Sequence, residues 1–352
     1  MKGAIIGFGT IAKGHMTGYS RVDELTVTAV LDVSKERRDH VENTYGLPAY
    51  SDFESLIANE NLDFIDICTP PSSHAGYSEL GLANGLHVLC EKPVFLPDED
   101  GGYRKQMDLI RATDRVYYPC HVYKFAPVLA SLKQHIQNPA FGKVLGANFR
   151  TLRSGHAKGV PEWRTHWRRE FETSRGGILR DHGPHSIYLA MNLTGCTPRS
   201  VSCLTGRMRE GDAYRDTEDS ALLRMRCDDG VEIAMTLSWA AGHRSTGYSV
   251  IGSAGSVVVD GDELTATAGG DVLRTTVESG FDDPTHKEWF PSMLRDFLAM
   301  TAERGRQTEL IREALTTSFV IDAAYASAAD EGRWTDCEVP EELLSVPPAV
   351  AA

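Results

Sequence analysis

The chain has 352 residues and a formal net charge of −13; that length exceeds what one hydrophobic core usually holds, and the acidic balance argues against nucleic acid or an anionic membrane as partner. An apolar fraction of 41% suits a full soluble core, and seven cysteines without a C-x-x-C pair point to a reduced cytoplasm. No apolar stretch reaches membrane-spanning length, and no signal peptide is evident.

The first apolar run, 4–6, breaks at Gly7 and Gly9 and is followed by a helical pattern. This is G-x-G-x-x-A between a strand and a helix. Gly7 permits the tight turn, Gly9 lets the backbone approach a pyrophosphate, and Ala12 keeps helix and strand close. Gly7, Phe8, Gly9, Thr10, Ile11 and Ala12 therefore read as a phosphate cradle, with the helix N-terminus offering unpaired N–H groups. An alternating, β-branched second strand, 25–31, ends at Asp32, where an acidic residue can bond the ribose 2′-OH of NAD. A carboxylate there repels a 2′-phosphate, so NAD is expected; Lys35, Arg37 and Arg38 keep NADP open as an alternative.

A helix over 35–45 follows, then a short helix over 52–58 capped by Asp52, and a third strand over 62–68 stopping at Thr69-Pro70-Pro71. Ser72 or Ser73 caps the next helix, which Asn84-Gly85 closes. A fourth strand, 86–90, stops at Glu91-Lys92-Pro93; a helix over 98–112 and a strand over 116–120 complete the alternation. Strands separated by helices imply a doubly wound parallel sheet of the Rossmann kind, with ligands at the carboxyl ends of the strands. Thr69, Pro70, His74, Glu91, Lys92 and His121 lie at those ends and are candidate cofactor contacts.

The texture changes near 123. A helix over 125–136 and a strand over 144–153 precede a Trp-rich loop, 154–175, and an apolar helix, 176–193. Strand-like segments follow at 199–208, 217–227, 231–240, 245–252, 255–260, 263–268 and 271–277. Tight turns such as Asp228-Asp229-Gly230 join them, implying an α+β domain with a mainly antiparallel sheet. Residues 287–304 and 308–329 return to helix and can pack on either domain. The division expected is 1–122 for the nucleotide, 123–340 for substrate and assembly, and a loose tail over 341–352.

Three side chains can carry chemistry. Lys92, at a ligand-facing strand end, can hydrogen-bond a substrate hydroxyl or relay its proton; a surface lysine beside Glu91 is the plainer reading. Asp181 and His185 are four residues apart, on one face if the helix runs through. There they can orient a diol and take a hydroxyl proton, although Pro184 disturbs a helix interior and Asp181 alone could be a cap. His182 is expected on another face. Trp163, Arg164, Trp167, Arg168 and Arg169 could line a sugar pocket or an interface. No metal-ligand spacing and no nucleophile elbow is present.

GFGTIA at 7–12, CTPPSSH at 68–74, CEKP at 90–93, YKFAP at 123–127, GGILRDHGPH at 176–185 and TED at 217–219 together resemble the glucose–fructose oxidoreductase/inositol dehydrogenase (Gfo/Idh/MocA) family. The ending, WFPSMLRDFL through AAYASA, fits it too. The resemblance implies a Rossmann domain plus a domain with an open antiparallel sheet, often used for homodimers or homotetramers. It implies hydride transfer between NAD(P) and a secondary hydroxyl of a sugar, a cyclitol or, given the acidic balance, an amino sugar. It puts Lys92, Asp181 and His185 at the catalytic positions, His185 as proton acceptor, and makes Lys92–Pro93 a cis bond. The resemblance adds Lys124 to the substrate candidates, on the nicotinamide side with His121; the two depart from the Arg and Asn common there. A glycoside hydrolase that uses NAD transiently is the alternative, and a non-catalytic NAD or sugar sensor a remoter one.

Overall fold

Short apolar runs alternating with longer helical ones produce an all-parallel sheet. The computed structural model describes residues 1–97, 102–209, 216–283, 285–303 and 306–344. In it β1 (Lys2–Ile6), β2 (Thr26–Leu31), β3 (Ala49–Tyr50), β4 (Phe64–Ile67), β5 (His87–Cys90) and β6 (Tyr117–Pro119) lie in the order β3-β2-β1-β4-β5-β6. Every pairing is parallel. Strands β4 and β5 are buried along their whole length, as strands covered on both faces must be. Strand order reverses between β1 and β4, and a crevice opens outside the strand ends there.

The helix starts follow their side chains. Asp52 caps Phe53–Asn59 by accepting the Ser55 N–H, and Ser34 caps Lys35–Tyr45 by accepting that of Arg37. Ser73 precedes His74–Ala83 but does not cap it. A 3-10 turn over Pro71–Ser73 already leads into the helix, and the Ser73 hydroxyl bonds Thr69 Oγ1 and the Pro70 carbonyl.

The later strands are β7 (Val144–Leu152), β8 (Pro198–Gly206), β9 (Ser220–Cys227), β10 (Glu232–Ser238), β11 (Ser245–Gly252), β12 (Gly255–Asp260), β13 (Glu263–Ala268), β14 (Asp271–Thr276) and β15 (Thr335–Asp336). They form one sheet, β14-β13-β12-β11-β7-β10-β9-β8-β15, in which only β7 and β10 run parallel. Helices cover one face. The other exposes Leu204, Leu222, Ile251 and Val258, which the strand register places on the same side.

The apolar segment after the Trp-rich loop is two helices, Ile178–Asp181 and Gly183–Thr194, divided at His182. Pro184 causes the division: without an N–H it is tolerated only in a helix's first turn, where it lies. Similarly, the helix expected from 125 begins at Pro127, after a 3-10 turn over Val122–Phe125. The helix expected over 98–112 is Gly102–Arg111; positions 98–101 lie outside the described residues.

Helix Phe290–Ala302 returns to the first sheet's layer and packs on Thr10–Tyr19. Gly14 and Gly18 let the backbones approach, since a Cβ on Gly14 would stand 2.6 Å from Phe290 Cε2. Helix Gln307–Ala329 touches both β6 and β8, tying the two sheets together. The tail expected from 341 is helical over Glu341–Leu344, with Leu343 buried; 345–352 lie outside the described residues. Among those described, no helix is long and apolar enough to cross a membrane.

Candidate active site

A cleft at the carboxyl ends of the parallel strands is lined on one side by Gly7, Gly9, Thr10, Ile11, Asp32, Thr69, Pro70, Glu91 and Lys92. From the other half of the chain come Trp163, Trp167, Arg168 and Asp181.

At the nucleotide end, Gly7 has φ +87° and a Cβ there would meet Thr69 Cγ2 at 2.7 Å, so only glycine makes this turn. A Cβ on Gly9 would meet nothing within 4 Å; that open space faces the start of Thr10–Tyr19, a helix without a side-chain cap. Its first N–H groups are therefore available to an anion. Asp32 is held by its own surroundings: Oδ2 accepts the Phe8 N–H at 2.7 Å and Oδ1 that of Ser34 at 2.8 Å. The nearby bases are committed elsewhere. Arg37 donates to the Phe8 carbonyl at 3.0 and 2.7 Å, Arg38 to the Asp32 carbonyl at 2.7 Å, and Lys35 pairs with Asp39. A carboxylate fixed in the crevice, an open cradle and engaged cations fit NAD.

At the other end of the cleft, Lys92 and Asp181 meet across the two halves. Lys92 precedes a cis peptide bond to Pro93. Its Nζ donates to Asp181 Oδ1 at 2.8 Å and to the Asp181 carbonyl at 2.7 Å. Arg168 Nε and His182 Nδ1 lie 3.4 and 3.2 Å from Asp181 Oδ2. Both are outside hydrogen-bond geometry. Burial alone would raise the Asp181 carboxyl, but Lys92, Arg168 and His182 outweigh it and hold it well below the usual carboxylate range. The helix break at His182 thus brings His182 beside Asp181, contrary to the expectation that it faces elsewhere.

His185 opens the second of the two helices. It is 8% exposed, stacks on Tyr123 with ring centroids 4.0 Å apart, and its Nδ1 is 2.7 Å from the Tyr188 hydroxyl. Burial first, then the charge of Lys92 and the neighbouring His182, push its pKa well below the ordinary imidazole value. It is a neutral base near neutral pH, set just behind the cleft wall.

Several expected contacts lie off the cleft. The Phe8 side chain and Ala12 are in the core, and the Phe8 amide is taken by Asp32. His74 is buried between the carbonyls of Pro93 and Thr69, at 2.9 Å from each; it braces two cleft segments from behind. His121 Nδ1 bonds Glu313 at 2.8 Å and its ring stacks on Tyr188 at 4.0 Å. Lys124 is held by the same Glu313 carboxylate. Arg164 turns to Glu170 and Thr173. Glu313, on a distant helix and invisible from local sequence, engages both His121 and Lys124.

The structure also shows groups the sequence reading passed over. His15 lies between Asp66 Oδ2 at 2.6 Å and Glu91 Oε1 at 3.1 Å. Burial disfavours its charge, yet Asp66 overrides this and raises its pKa well above the ordinary value. With Cys68, His15 and Asp66 bring three potential metal-ligating atoms within 4.8 Å. The cluster is buried, both imidazole nitrogens face carboxylates, and burial holds the Cys68 thiol up at about 12. Only the i, i+4 spacing to Tyr19, which bonds Asp66, hinted at it.

Comparison with known proteins agrees with this fold. Residues 1–117 match the family profile described as GFO_IDH_MocA, "Oxidoreductase family, NAD-binding Rossmann fold". Residues 129–258 match the GFO/IDH/MocA C-terminal domain. A D-apiose dehydrogenase from Paraburkholderia graminis is 25% identical, over 100% of this chain and 92% of its own. Levoglucosan dehydrogenase from Pseudarthrobacter phenanthrenivorans is 23% identical, over 94% and 97%. A solved levoglucosan dehydrogenase with NADH and levoglucosan superposes with a TM-score of 0.82 at 22% identity, covering 96% of this chain and 99% of that one.

Proposed function

This chain belongs to the GFO/IDH/MocA family of NAD-binding oxidoreductases, and from that premise we propose that it interconverts a secondary hydroxyl and a ketone on a sugar or cyclitol. Two full-length relatives named as sugar dehydrogenases support the substrate class. The observation that carries the reading is the Lys92 Nζ to Asp181 Oδ1 contact of 2.8 Å at the end of the nucleotide cleft.

NAD, when bound, supplies the hydride acceptor or donor. Gly7, Gly9 and the amides of Thr10 and Ile11 hold its phosphates, and Asp32 its adenosine ribose. Lys92 and Asp181 hold the substrate's hydroxyls: a charged amine beside a carboxylate offers one donor and one acceptor to a diol. His185 takes the proton of the reacting hydroxyl. With Nδ1–H donating to the Tyr188 oxygen, Nε2 is left as the accepting lone pair. Tyr188 and Tyr123 fix that ring by hydrogen bond and stacking. Trp163 and Trp167 offer flat faces to sugar C–H groups.

We assign 1–122 to cofactor binding and 123–340 to substrate and assembly. The exposed apolar row Leu204, Leu222, Ile251 and Val258 supports a homodimer or homotetramer built on the sheet face. Seven free cysteines support a reduced cytoplasmic setting. The test is NADH absorbance with NAD and a panel of sugars and cyclitols. Lasting NADH accumulation is expected. Sugar release without it would select the transient-hydride hydrolase, and an unimpaired His185→Ala would remove that residue's role.

A further inference from the structure

The protein is acidic overall, but the surroundings of His182 and Tyr123 are not. Arg153 follows β7 and Arg244 precedes β11. The antiparallel ladder ends where Leu152 pairs with Ser245, and Arg153 and Arg244 are the residues just beyond that pair, close enough for the charge of Arg153 to act on Arg244. Like charges that close repel. Arg153 is 5% exposed, and its Nη1 donates to the Leu152 and Ser245 carbonyls at 2.8 and 3.0 Å. Its Nη2 meets no acceptor in hydrogen-bond geometry; the Tyr123 hydroxyl is the polar group beside the guanidinium. Arg244 is half-buried and spends Nε on the Phe281 carbonyl. Among the described residues, no carboxylate lies within ion-pair distance of either guanidinium; Asp282 and Asp283 act on Arg244 from farther off, and a buried charge is costly unless paired.

The neighbours point the same way. Trp239, 1% exposed with its ring 6.1 Å from His182, leaves its indole N–H without an acceptor. Arg153 Nη2 and this indole are both donors, and both groups lie by His182. Tyr123, stacked on His185, feels both Arg153 and Arg244, and burial together with the charge of Arg153 holds Arg244 below its usual value. Donors in excess of acceptors beside a substrate pocket call for an anion.

We infer that Arg153, with Arg244, forms an anion subsite, so that the substrate is a polyol carrying a carboxylate or phosphate rather than a neutral or cationic sugar. This rests on the placement of the reacting hydroxyl at Lys92 and Asp181 proposed above, and it replaces the amino-sugar expectation drawn from net charge. The local field decides, because charges beyond about 10 Å are largely screened. The anion takes Arg153 Nη2 as a charge-assisted donor and is reached from the half-buried Arg244 side.

Calorimetry on the NAD-loaded protein tests this independently of turnover. D-Glucuronate and D-glucose 6-phosphate, as separate carboxylate and phosphate arms, are compared with D-glucose and myo-inositol. At least one anionic sugar is expected to bind about tenfold or more tighter than its neutral counterpart, the worth of one hydrogen bond to a charged group. Arg153→Gln brings that ratio close to one; if it does not fold, Arg244→Gln lowers the ratio in its place. The arm that wins identifies the anion. A wild-type ratio near one, or a folded Arg153→Gln protein with the ratio unchanged, overturns the subsite. Anion-selective binding with no NADH from any sugar keeps the subsite and removes the dehydrogenase reading. NADH from neutral sugars without anion preference does the reverse.

Discussion

Lys92 and Asp181, 89 positions apart, meet at 2.8 Å where the two halves of the chain close on one cleft. Neither residue has a local reason to be there. Lys92 arrives at the end of β5 and Asp181 at the end of a one-turn helix, and their charges hold each other where a diol can replace part of the contact. Replacing either with alanine is expected to lower kcat/KM by about 10²–10⁴-fold, the range for positioned proton-handling groups. Because the two act as a unit, the double replacement should cost little more than the worse single one. Steady-state kinetics of the three variants checks this; fully additive losses would separate the two roles.

The Asp32 carboxylate is fixed by the amides of Phe8 and Ser34, with both basic neighbours turned to backbone carbonyls. Asp32→Ser should raise KM for NAD about tenfold, consistent with the loss of one charge-assisted bond to a hydroxyl. It should also narrow the preference over NADP, because the repulsion against a 2′-phosphate goes with the carboxylate. Titrating both cofactors against wild type and variant reads the two effects separately. An unchanged NAD:NADP ratio would leave Asp32 as a turn residue only.

What the sequence disclosed, it disclosed through local rules. The glycine turn, the strand ends at Thr69 and Glu91, and the alternating strands after 198 all have periodicities that a single segment carries. The β11, β12 and β13 bounds came out as expected. Pro184 was visible as an obstacle, but whether it kinks or restarts the helix depends on packing around His182. The partners of His121, Lys124 and His74 were hidden for a different reason. Those partners, Glu313 and the Thr69 and Pro93 carbonyls, are chosen by tertiary packing, which composition does not encode. The approach of Arg153 to Arg244 at the end of the β7–β11 ladder follows from strand register, which no motif announces.

Two glycines on one helix approach make a paired prediction. A Cβ at Gly9 meets nothing within 4 Å, whereas one at Gly14 stands 2.6 Å from Phe290 Cε2. Gly9→Val should therefore melt close to wild type while losing NAD affinity, because the added group fills the phosphate cradle. Gly14→Ala should cost about 1–3 kcal/mol of stability through overpacking, felt between the two helices, with NAD affinity retained in the folded fraction. Thermal melts with and without NAD distinguish them: NAD should raise Tm for Gly14→Ala and not for Gly9→Val.

The buried histidines predict acid lability with a defined sign. Burial pulls His182 down from its ordinary value to about 4, Asp181 opposing only in part. Between roughly pH 6.5 and 4 the unfolded chain carries a proton on this residue that the folded chain does not, so stability rises with pH and is lost as pH falls through that window. The full effect, reached below the folded value, is about 3 kcal/mol. His185 and His286 are depressed in the same direction by burial, while His15 is raised and works the other way. Urea unfolding of wild type should weaken steadily from pH 7 to 5, with His182→Gln flattening the slope by close to one proton. A slope unchanged in His182→Gln would mean that His182 is charged in the fold, and would remove the neutral imidazole from the wall behind Asp181.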